Sequence, residues 1–110
     1  MYKLSELTHL IMKEVYLAHL SLPDFFTVRF HHLIASQRNL INSLLEDRTI
    51  LSYALDIERK NLYVYIQAES EQEIMDILST FPIIKEVKVA IHELAFYNSA
   101  PVSLPELNLN

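Results

Sequence analysis

One polar residue interrupts an apolar helical stripe, and it is the strongest chemical signal in the sequence. The stripe consists of apolar residues at helical spacing, Phe30, Leu33, Ile34, Leu40, Ile41 and Leu44, with Gln37 at its centre. A buried amide without partners costs about 1 to 3 kcal/mol, so Gln37 needs a partner. It either forms a core hydrogen bond, to Tyr53 or to a backbone carbonyl, or it faces a cavity. In such a cavity Gln37 and Tyr53 would orient a small, largely apolar ligand, with His19 or Arg38 at the mouth.

The histidines favour proton transfer over metal binding. His31 and His32 are adjacent on a predicted helix, about 100° apart, so they cannot chelate one ion. His19 and His92 fall on neighbouring predicted strands and could face one another. Because an unperturbed imidazole titrates near neutral pH, these two are the candidate catalytic residues; the alternative is two interface histidines that only pack. Asp56 is predicted too far across the sheet to be a third ligand, so we predict no metal site and no cofactor.

The candidate residues lie in a segment, from Glu14 to Tyr97, in which strand and helix signals alternate in the order βαββαβ. Strands are predicted over residues 15–22, 50–57, 62–68 and 87–92. One helix is predicted to end near Glu46, and a second to begin at the capping box of Ser70 to Glu73 and to stop before Pro82. The simplest fold is α+β, a ferredoxin-like sandwich with a four-stranded antiparallel sheet in the order 4-1-3-2 and both helices on one face.

The register of the central hairpin decides which side chains meet. Pairing Ile57 with Leu62 across a loop at 58–61 predicts that Tyr53 lies opposite Ile66. The face toward the helices then carries Leu51, Tyr53, Leu55, Leu62, Val64 and Ile66. The open face carries Tyr63, Tyr65, Gln67, Lys88, Ala90 and His92, with either Leu17 and His19 or Tyr16 and Leu20. Such a face favours a homodimer in which two open sheets close into a barrel; the alternative is a monomer with a solvated sheet.

Composition excludes several classes of site. The 110-residue chain has no glycine, which excludes P-loops and dinucleotide fingerprints. It has no cysteine, which excludes disulfides and thiol catalysis and is compatible with the cytoplasmic location that we expect. A net charge of -5, with no basic run longer than Arg59-Lys60, argues against a nucleic-acid partner. No segment approaches the roughly 20 apolar residues of a membrane span.

The two ends are predicted to lie outside a single domain at 14–97. Residues 1–13 place leucines and an isoleucine at helical spacing and read as an N-terminal extension, with Met12 as a second possible start. Residues 98–110 contain Pro101 and Pro105 among alternating leucine and polar residues. They are predicted to form an extended C-terminal arm, either disordered or draped over a neighbour.

Several segments together are similar to a known family. They are Leu22-Pro23 after the first strand, residues 44–50 entering the second, residues 78–82 closing the second helix, and the last strand at 86–94. From residue 15 to about residue 100 the chain resembles the muconolactone Δ-isomerase-like proteins. The resemblance implies a dimeric α+β barrel, often assembled further, with a small-molecule pocket between helices and sheet and arms that reach neighbouring subunits. It implies an isomerase that acts on a lactone or similar small carboxylated metabolite.

The chain also departs from that family near the predicted site, and three functions stay open. The family's first helix carries acidic residues where this chain has Ser36-Gln37-Arg38, and a neutral amide cannot transfer a proton as a carboxylate can. An isomerase-like enzyme would therefore use His19 or His92 as its base. A ligand-binding or regulatory barrel without turnover needs the pocket alone. A structural assembly protein would fill that space with side chains. The isomerase-like protein is the first expectation, mostly on resemblance.

Overall fold

The computed structural model describes residues 13–100 of the chain. The elements in that range are β1 (Glu14–Ser21), α1 (Val28–Glu46), β2 (Ile50–Leu55), β3 (Asn61–Ala68), α2 (Glu71–Ser79) and β4 (Lys88–Glu93), with a short 3₁₀ turn at Ile84–Glu86. The strands pair antiparallel in the order β2-β3-β1-β4, which confirms the predicted ferredoxin-like βαββαβ fold and its strand order. Except for Lys13, the predicted N-terminal extension lies outside the described residues, as does the predicted arm beyond residue 100.

Both helices begin at side-chain caps that the sequence supplies. The Thr27 hydroxyl accepts a hydrogen bond from the backbone N–H of Phe30 at the start of α1. The Ser70 hydroxyl accepts one from the N–H of Glu73, as the capping box predicts, although the Glu73 carboxylate reaches back to the N–H of Glu69 and not to that of Ser70. Each such cap contributes about 1 kcal/mol to helix stability. No helix within residues 13–100 is long and apolar enough to cross a membrane.

The core lies between one face of the sheet and the two helices. Alternate residues of β1 and β3 are buried there, namely Tyr16, Ala18, Leu20, Leu62, Val64, Ile66 and Ala68. Phe30 and Ile41 from α1 and Ile74 and Leu78 from α2 cover them. Phe81, in the loop after α2, is also buried. Full burial of one large apolar side chain contributes about 1.5 to 3 kcal/mol, so this layer holds the sheet and helices together.

The predicted hairpin register is wrong by two residues. Leu55, not Ile57, pairs with Leu62, and Tyr53 pairs with Val64. Asp56 causes the shift, because its carboxylate accepts hydrogen bonds from the N–H groups of two turn residues and ends the strand early. Ile57 therefore lies in the turn and is 96% exposed. A shift by two keeps the side chains from residue 52 onward on their predicted faces, since side chains alternate with a period of two.

A bulge at the start of β2 changes which residue of that strand faces the helices, so the prediction for Leu51 is wrong. The register slips between Ile50 and Ser52, so that Ile50 pairs with Ile66 and is buried, at 1% exposure. Leu51, which we predicted to face the helices, is only half-buried at the bulge. One extra residue in a strand has this effect, because it breaks the alternation: Ile50 then points to the core and Ser52 to the open face, whereas in a regular strand they would share one face.

The open face of the sheet carries the predicted side chains, and β1 contributes Leu17 and His19 to it. Leu17 lies opposite Tyr65 and His92, and His19 lies opposite Tyr63 and Ala90. The chain after β4 then crosses this face. The Tyr97 ring packs on Tyr65 with centroids 5.2 Å apart, and its hydroxyl is 3.1 Å from the Ser52 hydroxyl on the far strand. Residues 94–97 thus cover one end of the open face within the same chain.

Candidate functional site

A pocket of about 280 Å³ lies between α1 and the sheet, at the end where the β2–β3 hairpin turns. Its lining comes from the loop before α1, from α1 itself, from β2, the hairpin and β3, and from the loop after α2. The lining residues are Leu22, Phe26, Phe30, Ile34, Gln37, Arg38, Ile41, Tyr53, Leu55, Arg59, Leu62 and Ile83. Most of them are apolar. A volume of this size holds about ten non-hydrogen atoms, so the pocket suits a small molecule.

Gln37 lies at the buried end of this pocket with one of its two polar atoms unpaired. Its Oε1 accepts a hydrogen bond of 3.3 Å from the backbone N–H of Ile83. Because that partner can only donate, the amide cannot be turned around without losing the bond, and Nε2 must point away from Ile83. Nε2 has no hydrogen-bond partner, although Gln37 is only 6% exposed. The predicted core bonds of Gln37 to Tyr53 or to a backbone carbonyl are not formed.

The three residues predicted to bind a ligand, Gln37, Arg38 and Tyr53, line the same pocket. Tyr53 is 42% exposed and Arg38 is exposed, so both lie toward the opening while Gln37 lies inside. Sequence reasoning missed Arg59, which we placed in a loop. In the structure the turn begins at Asp56, two residues earlier than predicted, and Arg59 lines the pocket from this turn.

The groups suited to proton transfer lie elsewhere. Among the pocket-lining residues there is no carboxylate and no imidazole, and Tyr53 supplies the phenol. His19 and His92, the predicted catalytic residues, are both on the open face, on the other side of the sheet. They are also offset, because His92 is the partner of Leu17 while His19 is the partner of Ala90. The structure thus does not bring them opposite one another, and a catalytic role for either stays a prediction.

His19 belongs to a hydrogen-bonded chain that ends at a carboxylate. Its Nε2 is 2.8 Å from Oδ1 of Asn61, whose Nδ2 donates to Oδ2 of Asp56, also at 2.8 Å. The carboxylate fixes the orientation of the Asn61 amide, so Oδ1 of Asn61 accepts and His19 donates from Nε2. The ring stacks on Tyr63 with centroids 4.9 Å apart. The hydrogen bonds from Asn61, helped by the N–H of Lys60, hold the pKa of Asp56 below its usual value.

A second group of ionisable side chains lies at the opposite end of the sheet. A hydrogen bond to Glu14, together with the charge of Glu14, raises the pKa of Glu93. Burial raises the pKa of Tyr16, which is the β1 partner of Glu93, and the charges of Glu93 and Glu14 add to that rise. Within residues 13–100, no three histidine, aspartate or glutamate side chains come together in a way that could hold a metal ion.

The fold and the pocket define a class of protein, the ferredoxin-like α+β domain with a cavity between a helix and the sheet. No protein-family model matches the chain, and no curated protein matches it.

Proposed function

We propose that this protein binds a small, largely apolar compound through a carbonyl or lactone oxygen that accepts a hydrogen bond from Gln37. The unpaired Nε2 of Gln37 carries the proposal. An unpaired buried donor costs about 1 to 3 kcal/mol, and an acceptor atom of a ligand in the pocket would remove that cost. The apolar lining supplies the remaining contact area, and its aromatic part comes from Phe26 and Phe30, whose rings pack 4.5 Å apart.

The charges around the pocket support an acceptor-bearing or anionic ligand over a cationic one. Gln37, Arg38 and Arg59 all present donors, and no lining residue is acidic. A cation would therefore meet no complementary group, whereas a carboxylate would meet two guanidinium groups. This is the ligand chemistry that the resemblance to the muconolactone isomerase-like proteins implies.

Binding without turnover has more support than isomerisation. An isomerase needs a group that takes and returns a proton, and Tyr53 is the one ionisable side chain other than arginine in the pocket lining. In a sheet-to-sheet barrel His19 and His92 would lie between the two sheets, not in this pocket. Isomerisation of a lactone or similar small acid thus remains the second candidate, with Tyr53 as the group to substitute.

A panel of small lactones and carboxylic acids, tested by thermal unfolding, decides whether the pocket binds them. A compound that binds should raise the melting temperature of the native protein by mass action on the folded state. Gln37→Leu should lose this rise. Asn39→Leu is the matched control, because Asn39 is an exposed amide on the same helix and should keep the rise. Equal rises in the native protein and Gln37→Leu, or no rise with any compound, would remove Gln37 from a binding site.

The proposal includes self-association through the open sheet face and a cytoplasmic location. Tyr63 and Tyr65 are half-buried there beside Leu17, and aromatic residues with a polar end are enriched at interfaces. A symmetric pair is the commonest oligomer. The absence of cysteine from the sequence is compatible with a reducing compartment.

A further inference from the structure

The mouth of the pocket carries two cationic side chains without acidic partners. Arg38 and Arg59 are exposed, and neither forms an ion pair with any residue in the range 13–100. Arg29, on the first turn of α1, differs, because its Nε lies 3.6 Å from a carboxylate oxygen of Glu86. An arginine that lines an apolar pocket and has no counter-ion is available to a ligand anion.

The turn that carries Arg59 is held in one conformation. The Asp56 carboxylate accepts hydrogen bonds from the N–H of Lys60 at 2.8 Å and from the N–H of Asn61 at 3.0 Å. The N–H of Arg59 donates to the Asp56 carbonyl at 3.0 Å. Arg59 itself has a φ of 60°, in the left-handed region that usually favours glycine. A residue is kept there only when its surroundings over-determine the conformation, and here the Asp56 bonds do so.

Two further bonds tie this turn to the body of the protein. The Lys60 carbonyl accepts from the N–H of Leu22 at 2.8 Å, and Asn61 is bonded to His19 on β1. Leu22 also lines the pocket. The position of the Arg59 backbone relative to the pocket is thus fixed before any ligand arrives, which lowers the ordering cost of binding.

We propose that Arg59 determines specificity by binding a ligand carboxylate at the pocket mouth, while Asp56 positions it through the turn. This inference rests on the proposed function and deepens it by assigning the ligand an orientation in the pocket. A neutral acceptor enters toward the buried Gln37, the apolar body lies between Phe30 and Leu62, and the charged end stays at the exposed mouth. Burying the carboxylate beside Gln37 would cost more, because a single amide donor replaces little of its hydration.

The test compares acids with their methyl esters, which keep the body and the carbonyl but lose the charge. Levulinate, 5-oxohexanoate and 6-oxoheptanoate, keto acids whose ketone can point toward Gln37 while the carboxylate stays at the mouth, are each titrated with their methyl esters by calorimetry. The proteins are the native full chain, Arg59→Gln and Lys60→Gln. Lys60→Gln is the matched control, since it removes the same charge from the same turn, keeps its backbone N–H, and has a side chain that does not line the pocket.

We expect Arg59→Gln to weaken binding of the best acid about tenfold and to leave its ester unchanged, as loss of one charge-assisted hydrogen bond would do. Lys60→Gln should weaken it less than about twofold, because an exposed charge farther away is screened. Asp56→Ala removes the oxygen that accepts both turn N–H bonds and should reduce the ratio of acid to ester affinity, a readout that loss of stability alone would not change. The ratio is measured well below the melting temperature of each variant.

Two results overturn the inference, and they differ from failure of the proposed function. Equal affinities of the native protein for acid and ester would exclude anion recognition at the mouth, as would equal losses in Arg59→Gln and Lys60→Gln. If the ester still binds and Gln37→Leu abolishes that binding, the proposed function stands without this inference. If neither acid nor ester binds the native protein, both fail.

Discussion

Replacing Gln37 by leucine should leave the free energy of unfolding unchanged or raise it modestly in the absence of ligand. The substitution removes an unpaired buried donor, which relieves about 1 to 3 kcal/mol. It also removes the acceptor of the Ile83 N–H, a loss of about 1 to 3 kcal/mol if that group stays unpaired. The bond is long, at 3.3 Å, so its loss lies toward the lower end of that range. We therefore expect Gln37→Leu to lie between neutral and about 2 kcal/mol more stable than the native protein.

The assay is urea unfolding followed by circular dichroism and extrapolated linearly to water. Asn39→Leu is measured beside it, because this exposed amide on the same helix should be close to neutral. A loss above about 3 kcal/mol in Gln37→Leu, with Asn39→Leu unchanged, would mean that both polar atoms of Gln37 are paired in the free protein. The donor would then not be available to a ligand, and the reasoning would be refuted.

Three further predictions concern pH and assembly. Because Glu14 raises the pKa of Glu93, the folded state favours the protonated carboxyl, and stability is lost as pH rises through the raised pKa. Glu93→Gln should therefore raise the melting temperature at pH 7 and not in acid. A melting temperature that is unchanged at both pH values would contradict this prediction. The pKa of Asp56 is lowered in the folded state, so the contribution of its carboxylate to stability is present at neutral pH and is lost as pH falls through the lowered pKa. Asp56→Ala should lower the melting temperature at pH 7, and the difference from the native protein should close in acid. A difference that stays constant with pH would contradict this prediction. Light scattering should report a dimer or larger assembly that Tyr65→Glu reduces in mass, whereas a native monomer at micromolar concentration would exclude the barrel.

The order of elements could be predicted because their signals are local. Alternation in β3 and β4, the capping box at Ser70 and the apolar stripe of α1 each act within a few residues, and the right-handed crossover rule then leaves few topologies. The central position of Gln37 in that stripe follows from the same helical period. Its burial was predictable for this reason, and so was the need for a partner.

The hairpin register and the bulge could not be predicted, because both depend on competition between similar local structures. Ile57 continues the apolar pattern of β2, but the bonds of the Asp56 carboxylate to the turn stop the strand before it. Arg59 lies in this turn and lines the pocket, which the sequence did not indicate. The identity of the Gln37 partner was equally inaccessible, since the loop that brings the Ile83 N–H within reach lies 46 residues away in sequence.

The side-chain amide resonance of Gln37 tests the central claim most directly. It can be assigned in a nitrogen–proton correlation spectrum as the pair of signals missing from Gln37→Leu. On addition of the best-binding acid or ester, both signals should move as the Nε2 donor gains an acceptor, and they should saturate with the same affinity as calorimetry reports. If the compound saturates the protein while these signals stay in place, the ligand lies elsewhere and Gln37 is only a core residue.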